Sequence, residues 1–143
     1  MRHSFKMKLD WQGGRNEVGM LAAEKLKTKI SIPQEMDGPG VGTNPDEMLL
    51  GAAATCYLIT LAAMLERARI DATLSMQSEG IVDVTNGVFT YEEILHDVTI
   101  HGLEADEKTR EMALKYAHKA EQTCMISKAL AGNVDIHLHV NLS

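Results

Sequence analysis

The longest hydrophobic pattern in the chain is an uncharged stretch that covers residues 48–65. Directly before it stand Asn44, a residue type preferred at a helix N-cap, and Pro45, which suits the first helical position. Glu47 can close a capping box with Asn44, and its charge suits the positive end of a helix dipole. We therefore predict one long helix over residues 44–70.

The predicted helix is apolar on every side, so either protein or lipid must surround it. The uncharged stretch only just reaches the length of a membrane span, and glycine, threonine and alanine residues dilute it. We favour a helix buried in a soluble protein. The small residues at 51–55 allow another backbone to approach closely and favour a symmetric partner.

Alternation of polar and apolar residues, the period of a half-buried strand, marks the N-terminal part of the chain. It predicts three strands, within residues 5–11, 18–22 and 28–32. Gly13 and Gly14 turn the chain after the first strand, and Arg15 follows that turn directly. Residues 33–43 hold two of the three prolines, which predicts a loop that acts as a connector, a lid or a site wall.

The second half of the chain begins with a predicted hairpin. Residues 72–84 and 88–101 are strand-like, and the Asn86-Gly87 pair between them is the favoured centre of a type I′ turn. Residues 106–123 have a helical composition, and a short segment ending near Gly132 follows a break at 124–127. Residues 134–142 alternate again as a last strand. This order predicts an α+β fold with a mainly antiparallel sheet.

Composition narrows the class of protein. At 143 residues the chain suits one domain, expected over residues 1–143. The net charge of -6, without a clustered basic face, argues against a nucleic-acid partner. No apolar signal core is evident at the N-terminus, so the expected location is cytoplasmic. There, a cysteine pair is more often catalytic or redox-sensing than structural.

Cys56 and Cys124 are the two cysteines of the chain. They are too far apart for a CxxC redox motif and too few for a structural zinc site. Each can be interpreted as a small buried hydrophobe, but both fall on inward faces of the two main predicted helices and can meet in the core. His137 and His139 share a strand face, where solvation is favoured over metal binding because further ligands are lacking. No cofactor is expected.

Two segments carry a resemblance to a known family: NPDEMLLGAAATCY, which contains Cys56, and AEQTCMISKALAGNVDIHLHV, which contains Cys124. They resemble the OsmC/Ohr superfamily of osmotically induced and organic hydroperoxide resistance proteins. In that family a cysteine on the central helix follows an acidic residue, and a second cysteine opens a Cys-Pro-hydrophobic-Ser segment. The likeness covers most of the chain. It implies an intertwined α+β homodimer that reduces hydroperoxides by a two-cysteine cycle.

The resemblance also implies roles for individual residues. Cys56 corresponds to the attacking cysteine, Cys124 to the resolving cysteine, and Arg15 to the arginine that holds the thiolate and the peroxide. Asp46 stands where the family usually has glutamate, with Glu47 beside it, so either carboxylate can orient Arg15.

A second departure from the family pattern is Met125, which replaces the usual proline after the second cysteine. The two departures indicate a divergent branch, for which the peroxide specificity of the best-known members is not assumed.

Chemistry requires that something stabilise the thiolate of the attacking cysteine. A free cysteine with a pKa of about 8.5 is only slightly ionised at neutral pH. Cys56 lies too deep in its predicted helix to benefit from the dipole, and burial would raise its pKa. We expect the guanidinium of Arg15 to supply the charge; its alternative role is a solvated turn residue. Against this assignment, a helix that begins after Cys124 would favour the thiolate there instead.

Helix geometry adds a prediction about the assembly. Ten residues of helix span about 15 Å, so an acid at Asp46 cannot reach the site of Cys56 on its own straight helix. Two such helices packed antiparallel about a twofold axis would bring the Asp46 of one subunit toward the Cys56 of the other. We therefore predict two composite sites in each dimer.

The function expected is that of a cytoplasmic, cofactor-free, homodimeric thiol peroxidase. Cys56 would pass through a sulfenic acid to a disulfide with Cys124. An external dithiol, for which a lipoyl-type dithiol is the candidate, would reduce that disulfide. Apolar side chains, Tyr57 among them, would line the peroxide pocket. The alternatives are a dimeric small-molecule binder or redox sensor without enzymatic activity, and thiol chemistry on another electrophile. Neither a membrane nor a nucleic acid is an expected partner.

Overall fold

The computed structural model describes the whole chain, Met1–Ser143, as two compact units, Met1–Met48 and Leu49–Ser143. The single domain expected over residues 1–143 stays a prediction. In the first unit, three strands form an antiparallel sheet in chain order. They are β1 (Met7–Asp10), β2 (Gly19–Ala23) and β3 (Lys27–Ile30). β1 and β3 are shorter than predicted, and β2 has the predicted length with a shift of one residue.

The turn after β1 and the loop after β3 are held by local hydrogen bonds. Trp11 Nε1 donates to the carbonyl oxygen of Gly14 at 2.9 Å, and Gly13 has a positive φ of 137°, which glycine adopts without strain. In the loop, a short 3-10 helix occupies Gln34–Met36. The hydroxyl of Ser31 donates to the carbonyl of Val41 and accepts from its N–H, both at 2.8 Å. The predicted loop is therefore confirmed, and these two hydrogen bonds hold its C-terminal end beside the end of β3.

Helix α1 spans Pro45–Arg67 and begins as predicted. The side-chain oxygen of Asn44 accepts from the backbone N–H of Glu47 at 2.9 Å, so Asn44 is the N-cap. The Glu47 carboxylate accepts instead from the hydroxyl of Thr43 at 2.8 Å, so the predicted capping box is only half formed. The helix ends at Arg67 rather than at residue 70.

Only one face of α1 is buried within the single chain. Its buried residues, Ala53, Tyr57, Leu61 and Leu65, recur every fourth position, the spacing of one helix face. Ile59 on another face is 65% exposed. The single chain therefore leaves the other faces of α1 uncovered, and their burial against a symmetric partner stays a prediction. By length and composition α1 could cross a membrane, a test that core helices of soluble proteins also pass.

A second sheet lies in the unit Leu49–Ser143. Strands β4 (Thr73–Thr85) and β5 (Val88–His101) form the predicted long hairpin, and β6 (Asp135–Leu142) pairs with β5 in parallel. Asn86 and Gly87 both have positive φ, 52° and 75°, as a type I′ turn requires. The fold is thus α+β with two sheets and three helices, and its strand pairings are mainly antiparallel, as predicted.

Helices α2 (Glu107–Thr123) and α3 (Met125–Leu130) stand between β5 and β6. Asp106 caps α2 by accepting from the N–H and the hydroxyl of Thr109. The predicted inward face is confirmed, because Ala113, Ala117, Ala120 and Cys124 are all fully buried. These alanines share one apolar cluster with Tyr57, Leu61 and Leu65 of α1 and with Val98 and Ile100 of β5. This packing brings the C-terminal end of α2 to the middle of α1.

Candidate active site

Cys56 and Cys124 meet within the unit Leu49–Ser143. Cys56 lies on α1 and is partly exposed, whereas Cys124 is fully buried between α2 and α3, and both are free thiols. The side chains contact each other, with the Cys124 thiol as the donor toward Cys56. The two cysteines are far apart in the sequence but their side chains are in contact, as expected from their positions on the inward faces of the predicted helices.

The environment shifts the pKa values of the two thiols in opposite directions. Burial tends to raise the pKa of Cys56, but hydrogen bonding by Cys124 and by the backbone N–H groups of Ile126 and Met125 outweighs burial and lowers it. For Cys124, burial and then the interaction with Cys56 raise the pKa above its usual range. Cys56 is therefore the thiol that ionises first.

Thr60 also approaches the Cys56 sulfur, one helical turn further along α1. Its hydroxyl already donates to the backbone carbonyl oxygen of Cys56 at 2.7 Å. Because a hydroxyl carries only one proton, we attribute the lowered pKa of Cys56 to Cys124, Ile126 and Met125. The spacing of four residues was the signal in the sequence that could have identified Thr60.

The argument that a helix after Cys124 favours a thiolate there is right in direction, but burial and the contact with Cys56 outweigh it. That helix, α3, begins at Met125 as supposed, but the N–H groups of Met125 and Ile126 approach the sulfur of Cys56. The N–H groups of Ser127 and Ile126 lower the pKa of Cys124 less than burial and Cys56 raise it. Ser127 Oγ lies close to Cys124 but is buried without a well-formed hydrogen bond.

Arg15 lies in the unit Met1–Met48, where its guanidinium joins the Gly-Gly turn to the loop after β3. It donates to the carbonyl oxygens of Met36 at 2.7 Å and Asp37 at 3.1 Å, and to the side chain of Asn16 at 2.8 Å. Arg15 is an exposed residue of this turn, and its role beside the thiolate stays a prediction.

Asp46 and Glu47, the two candidate acids, occupy the first turn of α1. The Glu47 carboxylate accepts from the hydroxyl of Thr43, and its backbone N–H donates to the side chain of Asn44. Their roles beside Arg15 stay predictions.

Two further groups of candidates make contacts of their own. Tyr57 was expected to line a peroxide pocket, but it is fully buried and donates to the carbonyl oxygen of Ala117 at 2.9 Å, so it is a core residue. His137 contacts Glu93 at 3.4 Å on the exposed face of the second sheet. No group of three or more His, Cys, Asp or Glu side chains is arranged to hold a metal ion.

The sequence of residues 38–139 matches the family model described as OsmC-like protein. The chain therefore belongs to the OsmC-like family, and the resemblance noted from the sequence is confirmed.

Individual relatives agree with this assignment. YmaD of Bacillus subtilis (strain 168), an uncharacterized protein, is 54% identical over 98% of this chain and 95% of its own length. An organic hydroperoxide resistance protein of Xanthomonas axonopodis pv. citri (strain 306) is 27% identical over 88% of this chain and 87% of its own. The crystal structure of an organic hydroperoxide resistance protein OsmC from Legionella pneumophila superposes with a TM-score of 0.78 at 26% identity, covering 98% of this chain and 99% of that one.

Proposed function

We propose that this chain is a cysteine-based thiol peroxidase that reduces hydroperoxides, organic ones in particular. The observation that carries the proposal is the contact between two free thiols whose pKa values move apart, downward for Cys56 and upward for Cys124. An attacking cysteine must ionise easily, and a resolving cysteine beside it is best kept protonated until it is needed. The names of relatives at 26–27% identity support the same chemistry.

The reaction balances with the two cysteines as the source of electrons. The Cys56 thiolate attacks one peroxide oxygen, the O–O bond breaks, and the alkoxide takes up a proton and leaves as the alcohol. Cys56 is then a sulfenic acid. The Cys124 sulfur attacks it, the S–O bond breaks, and water leaves as the Cys56–Cys124 disulfide forms. An external dithiol, for which a lipoyl-type dithiol is the candidate, reduces this disulfide by exchange and becomes a disulfide itself.

Arg15 is proposed to bind the peroxide and to stabilise the thiolate further. A guanidinium stays charged at physiological pH and presents several donors to the peroxide oxygens. Its contacts with the carbonyls of Met36 and Asp37 support a fixed position for that charge. Asp46 or Glu47 is the proposed carboxylate partner.

The active form is proposed to be an intertwined, cytoplasmic homodimer. Exposed apolar side chains support this part of the proposal, among them Ile59 on α1 and Leu9 and Trp11 of the N-terminal unit. A second copy of the chain would bury these side chains together with the faces of α1 that are exposed in the single chain. Each site would then take Asp46 from the other subunit.

The experiment that tests the peroxidase proposal follows thiol loss on addition of one equivalent of cumene hydroperoxide or, separately, hydrogen peroxide. We expect rapid loss of both thiols with formation of a Cys56–Cys124 disulfide, and faster loss with the organic peroxide. In C124S the expected product is a sulfenic or overoxidised Cys56, and in C56S no rapid loss. Thiol loss at the rate of a free cysteine would reject the enzyme and favour a binder or another electrophile.

The composite site has a separate test in mixed dimers. A subunit with C56S and a subunit with D46A are each expected to be inactive as homodimers. In a verified heterodimer one site would regain both groups, so part of the activity should return. No recovery in that heterodimer would reject the shared site while leaving the peroxidase proposal intact.

A further inference from the structure

The core next to Cys56 contains a buried polar side chain that the proposed reaction does not use. His96 of β5 is 1% exposed and lies between Ser78 of β4 and Leu138 of β6, its partners in the sheet register. Its Nδ1 is 2.7 Å from the hydroxyl of Ser78, whereas its Nε2 is buried without a hydrogen-bond partner. A buried polar atom without a partner costs stability, so its presence calls for an explanation.

Tyr57 connects this imidazole to both thiols. The rings of Tyr57 and His96 stack with centroids 5.4 Å apart and planes inclined by 15°. Tyr57 directly follows Cys56 on α1, and its hydroxyl donates to the carbonyl oxygen of Ala117 on α2 at 2.9 Å. Cys124 lies about two helical turns beyond Ala117, and both residues are fully buried. The position of the Tyr57 ring therefore bears on the helix of each thiol.

A proton on Nε2 of His96 would be a buried charge without an acceptor. The hydroxyl of Ser78 and the ring of Tyr57 contact the imidazole, Leu138 lies beside it in the sheet, and none of these carries a charge. Glu121 of α2 is the charged group of this network, and its charge acts on the hydroxyl of Tyr57. Because a buried unpaired charge is strongly unfavourable, burial lowers the pKa of His96, and its ring is neutral at pH 7.

We propose that His96 is a positioning residue for Cys56 and Cys124, and that it holds the two thiols in contact only while its imidazole is neutral. A proton on Nε2 favours a locally open state in which the ring of Tyr57 leaves the stack, because water then reaches the charge. In that state Tyr57 gives up its hydrogen bond to Ala117, α2 separates from α1, and Cys124 becomes accessible. The proposal rests on the proposed function only for its consequence that peroxide reduction stops in acid.

The test measures how strongly the fold protects Cys124 from dithiodipyridine, a disulfide reagent that reacts with thiols in acid as well as at neutral pH. C56S leaves Cys124 as the only thiol, and the ratio of its rates in urea and in buffer at the same pH gives the protection. Between pH 7.5 and 5 we expect this protection to decrease by on the order of tenfold. The reason is that a closed state that excludes one proton loses up to about a factor of ten per pH unit below the ordinary pKa of the group.

Matched variants assign the decrease to His96. C56S/H96F keeps a ring for the stack on Tyr57 but has no titrating nitrogen, so its protection should be the same at pH 7.5 and 5. C56S/H118Q changes an exposed histidine of α2 and should lose protection in acid as C56S does. A decrease of the same size in C56S/H96F would overturn the proposal.

A comparison within C56S alone keeps the proposal testable if H96F does not fold. The protection of Cys124 gives the free energy of the opening that exposes it, and urea denaturation gives the free energy of complete unfolding. At pH 5 we expect Cys124 to be exposed on the order of tenfold more often than complete unfolding allows. Equal free energies at every pH would overturn the proposal, because Cys124 would then be exposed only by complete unfolding.

Neither measurement uses a peroxide, so the two proposals fail separately. A chain that opens in acid through His96 but consumes no hydroperoxide would reject the peroxidase and keep the positioning role. A chain that reduces hydroperoxides but shows no acid opening at Cys124 would do the reverse.

Discussion

The ring of Tyr57 stacks on the imidazole of His96, with ring centroids 5.4 Å apart and planes inclined by 15°. Tyr57 follows Cys56 on α1, and its hydroxyl donates to the carbonyl of Ala117 on α2. His96 belongs to β5, and its Nδ1 is 2.7 Å from the hydroxyl of Ser78 on β4. This buried pair therefore connects the helix that carries Cys56 to the sheet and to the helix that precedes Cys124.

The first prediction concerns His96 and pH. Burial lowers the pKa of His96 below its ordinary 6.5, and Nε2 is buried without a partner. In the unfolded chain the imidazole takes up a proton near pH 6.5, whereas in the folded chain it resists protonation. The unfolded state then binds more protons, so the free energy of unfolding should decrease as pH falls below 6.5, by up to about 1.4 kcal/mol per pH unit.

Urea denaturation at several pH values between 5 and 8 measures this slope. H96F should flatten it, because the titrating group is gone while a ring remains to stack on Tyr57. H118Q is the control, since His118 is exposed on α2 and its replacement should keep the slope. A slope that survives in H96F and disappears in H118Q would contradict the assignment.

The second prediction concerns the hydroxyl of Tyr57. Burial and then the charge of Glu121 raise the pKa of Tyr57, so the hydroxyl stays protonated and donates to Ala117. Y57F should lower the free energy of unfolding by about 0.5–1.5 kcal/mol through loss of this buried hydrogen bond. Y116F, at a half-buried tyrosine of α2, is the matched control. Equal effects of the two substitutions in urea denaturation would show that the Tyr57 hydroxyl contributes nothing specific.

The third prediction is that the two thiols differ in reactivity in the folded chain. At pH 7, iodoacetamide should label Cys56 on the order of tenfold faster than Cys124, because Cys56 has the lowered pKa and is partly exposed while Cys124 is buried. Peptide mapping after short labelling times measures the ratio. In urea the preference should vanish, and faster labelling of Cys124 in the folded chain would reverse the proposed roles.

The fourth prediction concerns the homodimer. Ile59 is 65% exposed on α1, and I59D would place a charge in the proposed interface, which should weaken dimerisation by at least about tenfold. L114D, at an exposed leucine of α2, is the matched control and should leave the assembly unchanged. Sedimentation velocity over a range of concentrations distinguishes the two variants. An I59D chain that dimerises as tightly as L114D would exclude Ile59 from the interface.

Local patterns explain how much of the fold followed from the sequence. The alternation along β4, β5 and β6, the Asn86-Gly87 turn and the Asn44 N-cap each depend on residues close together in the chain, so their periods and positions predict them directly. The inward face of α2 followed in the same way from its alanines. His96 was missed, although its alternation with Ile94 and Val98 was the signal that placed it on the buried face of β5.

The candidate site was predicted only in part from the sequence. The resemblance identified Cys56 and Cys124, and the inward faces of their helices predicted that they meet. The sequence did not predict that the backbone of Met125 and Ile126 lowers the pKa of Cys56, or that burial outweighs the effect of the α3 N–H groups on Cys124. Those results depend on the angle at which α3 leaves α2, which no periodic pattern encodes.

By itself, then, the sequence determined the elements, their order, the family and the two thiols, because each depends on local periods or on a motif. Only the tertiary structure decided which thiol has the lower pKa and that β6 runs parallel to β5. A thiol pKa depends on the balance between burial and donors a few ångströms away, and these donors come from residues about seventy positions distant along the chain. That balance exists only after α1, α2 and α3 have packed together.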